Sequence, residues 1–246
     1  MKLYKYRAVS DGDEGSFVRL ADILHKNAFW CAAPATLNDP EEFTWQCDYE
    51  PSLATTSLLA ELLVAHRGSD FASARAIALG AVAGNRIAAL AAPIFQSIID
   101  QCRAEIGLAC FGTSFDSPVM WQRYGGDGTG VCIEIDAPDE LLDNQLHRVE
   151  YPISKILTID QLLQASLGGA HKRTVYSISL LSKPPGWAEE AEVRFISKQQ
   201  GVSVHLAGST IARVILGSRV DSNTKTRVQN LVSSLAYPIP LSYHSS

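Results

Sequence analysis

Residues 183–196, KPPGWAEEAEVRFI, place Glu190, Glu192 and Arg194 at every second position, alternating with Ala191, Val193 and Phe195. In an extended strand alternate side chains share a face. The spacing therefore predicts a strand over 189–197 with two carboxylates and a guanidinium in one row and the apolar trio turned to a core. The two carboxylates would stand roughly 7 Å apart. Such a row is either a solvated face carrying an ion pair or a site. As a site it suits a reaction in which positive charge develops: one carboxylate opposes that charge while the other takes a proton from an acceptor. Glu190 and Glu192 are the candidate catalytic pair.

Other chemistries find less support. The Gly-rich segment 124–130, YGGDGTG, lacks the Lys-Ser/Thr end of a phosphate loop, and no G-x-S-x-G or H-E-x-x-H is present. The histidines are scattered, and the cysteines, Cys31, Cys47, Cys102, Cys110 and Cys132, are odd in number with no C-x-x-C pair. Neither a zinc site nor a disulfide framework is indicated. Cys110 and Cys132 lie in apolar strand patterns and read as buried structural thiols. Asp39, Glu41 and Glu42 around Pro40 could gather on a divalent ion, but a capped turn explains them as well, so no metal is expected. Trp121 and Tyr124, three apart, share one face of a short helix.

The elements around these residues give an α+β pattern. Residues 3–7 alternate as a strand, with Tyr4 and Tyr6 on one face and Leu3, Lys5 and Arg7 on the other. Ser16 can cap a helix burying Phe17, Leu20, Ala21 and Leu24. Further strands are expected over 28–32, 106–111, 131–135, 146–151, 202–206 and 211–216, forming one central mixed or mainly antiparallel sheet. Asp116 or Ser117 can cap the helix of Met120, Trp121 and Tyr124, residues 159–181 read as mostly helical, and a last helix carries Val228, Leu231, Val232 and Leu235. Residues 53–105 are almost wholly helix-forming, with breaks near Gly68, Gly84 and Pro93, and read as a helical lobe inserted in a single domain 1–246. That lobe is the candidate surface for a partner or a second copy.

A net charge of −5 from 21 basic and 26 acidic side chains, with the basic ones dispersed, gives no whole-chain support to non-specific nucleic-acid binding. The first residues lack the apolar core of a secretory signal, so a cytoplasmic location is expected. Residues 71–100 are the only candidate for a membrane span, and Arg75, Asn85 and Arg86 interrupt them below the roughly 18 apolar residues a span needs. They read as a buried helix pair.

Six blocks, taken in order, resemble one family. They are L-Y-K-Y-R (residues 3–7), L-N-D-P (37–40), C-F followed by M-W-x-x-Y (Cys110, Phe111, Met120, Trp121, Tyr124), G-V-C-I-E-I (130–135), W-x-x-E-x-E-x-R (Trp187, Glu190, Glu192, Arg194) and V-I-L-G (214–217). This set is similar to the bacterial domain-of-unknown-function family 2971. The family's usual His-Lys-Gly before the G-V-C-I strand is replaced here by Gly128-Thr129-Gly130. The order of blocks also resembles the ADP-ribosyltransferase fold: an early strand ending in Arg7, a Gly-Thr-Ser segment with Thr113 and Ser114, and a late E-x-E. That resemblance implies NAD as substrate, in an ADP-ribosyltransferase or NAD glycohydrolase, such as a bacterial toxin or defence effector. Arg7 would grip the pyrophosphate, Ser114 would tie the strands together, and Trp121 and Tyr124 would wall the nicotinamide pocket. Glu192 would oppose the oxocarbenium charge and Glu190 would orient or deprotonate an acceptor, be it protein, nucleic acid or water. Two alternatives stay open: a non-catalytic interaction module with the acidic row as an ion-pair ladder, and a hydrolase of another substrate, using a metal at Asp39, Glu41 and Glu42.

Overall fold

A computed structural model describes residues 1–39, 41, 43–142, 144–168 and 172–244. The elements run β1 (Lys2–Arg7), α1 (Glu14–Lys26), β2 (Phe29–Cys31), β3 (Gln46–Asp48), α2 (Thr55–Arg67), α3 (Phe71–Ala83), α4 (Ile87–Glu105), β4 (Gly107–Phe111), α5 (Pro118–Tyr124), β5 (Val131–Asp136) and β6 (Leu146–Arg148). They continue as β7 (Ile156–Thr158), α6 (Ile159–Ser166), α7 (Lys172–Leu180), β8 (Val193–Ser197), β9 (Val202–Val204), β10 (Thr210–Leu216), α8 (Ser222–Ser233) and β11 (Leu241–Tyr243). Helices and strands mix without regular βαβ alternation, so the class is α+β. The chain divides into two compact units, Met1–Ala33 with Ile106–Val149 and Gly186–Ser246, and Pro34–Glu105 with Glu150–Pro185.

The strands of the first unit do not form the one central sheet expected from the sequence. They make a four-stranded sheet in the order β1-β5-β10-β11, a three-stranded sheet β4-β8-β6 and a pair β2-β9. Every pairing in these sheets is antiparallel except the parallel β10-β11. Among the described residues, single backbone bridges, Tyr4 to Gly112 and Ala32 to Leu108, connect β1 and β2 to β4. One bridge cannot keep two twisted strands in register over their length, so the sheet splits there.

The two faces of β1 differ as its alternation predicts. Leu3 joins the main core with Phe17, Leu20, Phe29, Phe111, Ile133 and Val214. Tyr4 and Tyr6 join Met120, Trp121, Cys132 and Ile215 on the other side. Helix α1 buries Phe17, Leu20, Ile23 and Leu24, but its cap is Asp13, whose carboxylate accepts from the Ser16 N–H; Ser16 is itself buried and lies inside the helix. Helix α5 begins with Pro118 and is capped by Ser117, which accepts from the Met120 N–H. The Gly-rich turn before β5 presses on the end of β1: a Cβ on Gly130 would stand 2.2 Å from the Arg7 carbonyl oxygen.

The second unit is mostly helical. The helices of 53–105 share their core with residues from further along the chain, since Leu59, Leu63, Ala78 and Phe95 pack with Leu157, Ile159, Leu162 and Leu163. A short parallel pair, β3 with β7, belongs to this unit as well. Gly68 and Gly84 end α2 and α3 as expected. Pro93 does not break α4. The carbonyl it leaves without a donor lies four residues back, at exposed Ala89, where water can satisfy it. Helices α3 and α4 bend by 119° at their junction, and among the described residues no single helix is long and apolar enough to cross a membrane.

Candidate functional site

The row of Glu190, Glu192 and Arg194 is not a strand face. Residues Pro185–Glu190 form a 3-10 turn, Ala191 takes a left-handed φ of 42°, and β8 starts only at Val193. The expected exposure holds only in part: Val193 is buried in the core, but Glu190, Glu192 and Arg194 are buried as well, and Ala191 is exposed. The cause is that left-handed residue, which breaks the period of two and turns the carboxylates to separate partners.

Glu192 is gripped by Arg194, with Nε donating to Oε1 at 2.7 Å and Nη2 to Oε2 at 3.1 Å. This is the bidentate fork that a guanidinium forms with a carboxylate. Arg194 stands between Cys110 of β4 and His147 of β6 in the sheet register. That face is opposite the one of Val193 and Ala109 in the main core, and Arg194 is nonetheless fully buried. Glu190 turns instead to α5: its Oε1 accepts from Arg123 Nη1 at 3.0 Å and from the Tyr124 hydroxyl at 2.9 Å. Arg123 in turn lies 4.4 Å from the Trp187 ring centre, a cation–π contact.

Lys5 extends from β1 toward β4, where its Nζ donates to the Cys110 carbonyl at 2.8 Å and lies 5.5 Å from the Phe111 ring centre. Burial lowers its pKa, with Arg7 opposing its charge and Glu192 favouring it, so all three lie within electrostatic reach. Burial also lowers the pKa of Arg7, helped by neighbouring Arg19. Among the described residues the Arg7 guanidinium makes no hydrogen bond or ion pair. Cys110 has its pKa pushed up, first by burial and then by Glu192, so it is a thiol and no nucleophile at neutral pH.

The structure thus puts Lys5 within electrostatic reach of both Arg7 and Glu192, and brings Glu190 together with Tyr124. It does not bring Ser114 to Arg7. Ser114 is exposed, and its carbonyl accepts from the Tyr6 hydroxyl at 2.7 Å, on the face of β1 away from Lys5. Trp121 is buried edge-on against Tyr6, with its Nε1 donating to the Phe115 carbonyl at 2.8 Å, which makes it a packing residue. In the second unit, Asp39 Oδ1 accepts from the Glu41 N–H at 2.9 Å, the capped turn that was the plainer expectation. Pro40 and Glu42 lie outside the described residues, as does His171, and no group of three metal-ligating side chains exists among those described. Sequence reasoning missed Lys5 and Arg123. The signal for Lys5 was present, since it shares its strand face with buried Leu3.

A family model described as protein of unknown function (DUF2971) matches residues 120–195. The match spans α5 to β8 and so includes Arg123, Tyr124, Glu190, Glu192 and Arg194, whereas Lys5 and Arg7 fall outside it. No curated protein and no solved structure matches the chain.

Proposed function

We propose that the first unit binds NAD and cleaves its nicotinamide–ribose bond, passing ADP-ribose to an acceptor or to water. The observation that carries this reading is Arg7: a largely covered guanidinium whose side chain has no protein partner among the described residues, on the same strand face as Lys5, which itself feels the charges of both Arg7 and Glu192. A planar fork of donors next to a second cation suits a pyrophosphate. Arg194 favours the ionised form of Glu192 and fixes the orientation of its carboxylate. As the C1′–N bond breaks, nicotinamide leaves with the bonding electrons and positive charge spreads over the ribose ring. A fixed carboxylate lowers the energy of that state. Glu190, with Tyr124, would orient the acceptor; with water, the products are ADP-ribose, nicotinamide and a proton. Ser114 and Trp121 have no role in this version, and no metal takes part.

One observation favours the non-catalytic module as a second reading: Glu190 and Glu192 are each already paired with an arginine. The two readings separate in one experiment. Purified protein is incubated with NAD and free nicotinamide is measured chromatographically. Catalysis predicts release that Glu192→Gln abolishes and that Arg7→Gln weakens through KM, with both variants folded by circular dichroism. No release at any NAD concentration, with NAD also failing to raise Tm, leaves the module reading standing.

A further inference from the structure

The second unit contains a cavity of about 110 Å³ where α4, α6, α7 and the segment before β3 meet. Its walls include Phe43, Trp45, Phe95, Ala165, Tyr176 and Ser179, and among the described residues no charged side chain lines it. The geometry points to a binding site for a small neutral aromatic compound carrying one oxygen substituent, such as a phenol.

Three features separate this cavity from a packing fault. First, the wall residues on α6 and α7 include Ala165, Ser166 and Ser179, where a leucine would fill the space. Empty apolar volume destabilises a fold in proportion to its size, so the small residues hold open a space that has a use. Ser179 does not add polarity, because its hydroxyl donates to the Val175 carbonyl at 2.6 Å.

Second, the wall is built in advance. Phe43 is buried with a left-handed φ of 60°, a conformation that a bulky residue holds only where its surroundings impose it. Arg103 imposes it: Nη2 donates to the Phe43 carbonyl at 3.3 Å and the guanidinium lies 5.7 Å from the ring centre.

Third, the chemistry of the lining selects a ligand. Phe43, Trp45, Phe95 and Tyr176 present four aromatic rings, which pack on a ligand ring in edge-on or offset contacts. At about 110 Å³ the cavity is smaller than the apolar cavity of about 150 Å³ known to hold benzene, but it is open on one side, so one ring fits with its substituent toward the rim. The Trp45 indole N–H and the Tyr176 hydroxyl make no hydrogen bond to any described residue. They are the donors a ligand oxygen needs, while the uncharged lining disfavours an anion.

The test uses 4-fluorophenol and fluorine NMR on the full chain. Saturable broadening of the ligand signal, displaced by unlabelled phenol, is expected. Ala165→Phe and Ser179→Leu, filling the cavity from two helices, should each weaken binding at least tenfold without lowering Tm, and 4-fluorobenzoate should bind at least tenfold more weakly than 4-fluorophenol. Absence of saturable broadening overturns the proposal. So does unchanged affinity in whichever filled variant folds, or equal binding of the benzoate. Because no residue of the first unit is involved, failure here leaves the NAD reading untouched.

Discussion

Replacing Arg194 by methionine should be among the most damaging single changes in the first unit. The pair it forms with Glu192 has both bonds at ordinary length, 2.7 and 3.1 Å, and the side chains are 1% and 5% exposed, so water screens it very little. Deleting one member takes from the other its bidentate partner while it stays a buried charge, which costs about 3–5 kcal/mol. For a chain of this size that corresponds to a drop in Tm of roughly 6–20 °C. Glu192→Met should fall in the same range. The double variant should not cost the sum, because neither charge then remains to be solvated; a coupling of at least ~2 kcal/mol is expected from the cycle. Urea unfolding followed by circular dichroism measures all four proteins. A single Arg194→Met loss below ~1 kcal/mol, or additive losses in the double variant, would refute the claim that the pair is buried and mutually dependent.

Three other changes test separate statements. Lys5 has its pKa lowered by burial from the ordinary 10.5, so the unfolded chain holds that proton more tightly. Its contribution to stability is full above 10.5 and is lost as pH falls through the folded value. The stability of wild type relative to Lys5→Met should therefore rise with pH across that window, and a pH-independent difference would contradict it. Ala191→Val puts a β-branched residue at a φ of 42° on an exposed site, so it should cost ~1–3 kcal/mol while Ala191→Gly is tolerated; equal unfolding midpoints would sink the backbone assignment. Cys47 has its pKa pushed up to about 11 by burial, so at pH 8 the thiolate fraction is on the order of one in a thousand. Iodoacetamide followed by peptide mass spectrometry should show it modified roughly 100-fold more slowly in the native protein than in urea, and comparable rates would show the thiol to be accessible.

What could be read from the sequence is what local periodicity controls. Strand β1 and helix α1 were legible because their apolar residues repeat at periods of two and 3.6, and β5 and β10 because long β-branched runs admit little else. Strands β3, β7 and β11 have three residues each, too few to show a period. The same limit governs the site. Its residue types were visible, but an alternating E-x-E-x-R pattern is equally compatible with a turn that contains one left-handed alanine. The partners are non-local: Glu190 meets Arg123 and Tyr124 across more than sixty intervening residues. The division of 34–105 and 150–185 into one unit was invisible for the same reason, since nothing local ties Leu63 to Leu162.

The interleaving of the two units has a consequence for synthesis on the ribosome. Strand β1 leaves the tunnel long before its first ladder partner, because β5 begins at Val131, and at roughly 5–20 residues per second the interval is about 6–25 s. During that time Tyr4 and Tyr6 have neither Cys132 nor Ile215 to pack on, and the ladder partners of β1 do not yet exist. The helical unit, in contrast, is complete once Pro185 has emerged, while β8, β9, β10 and β11 have yet to leave the tunnel. The nascent chain can therefore close its second unit while the first is still incomplete, and the early strand is the segment a trigger-type chaperone would have to shield.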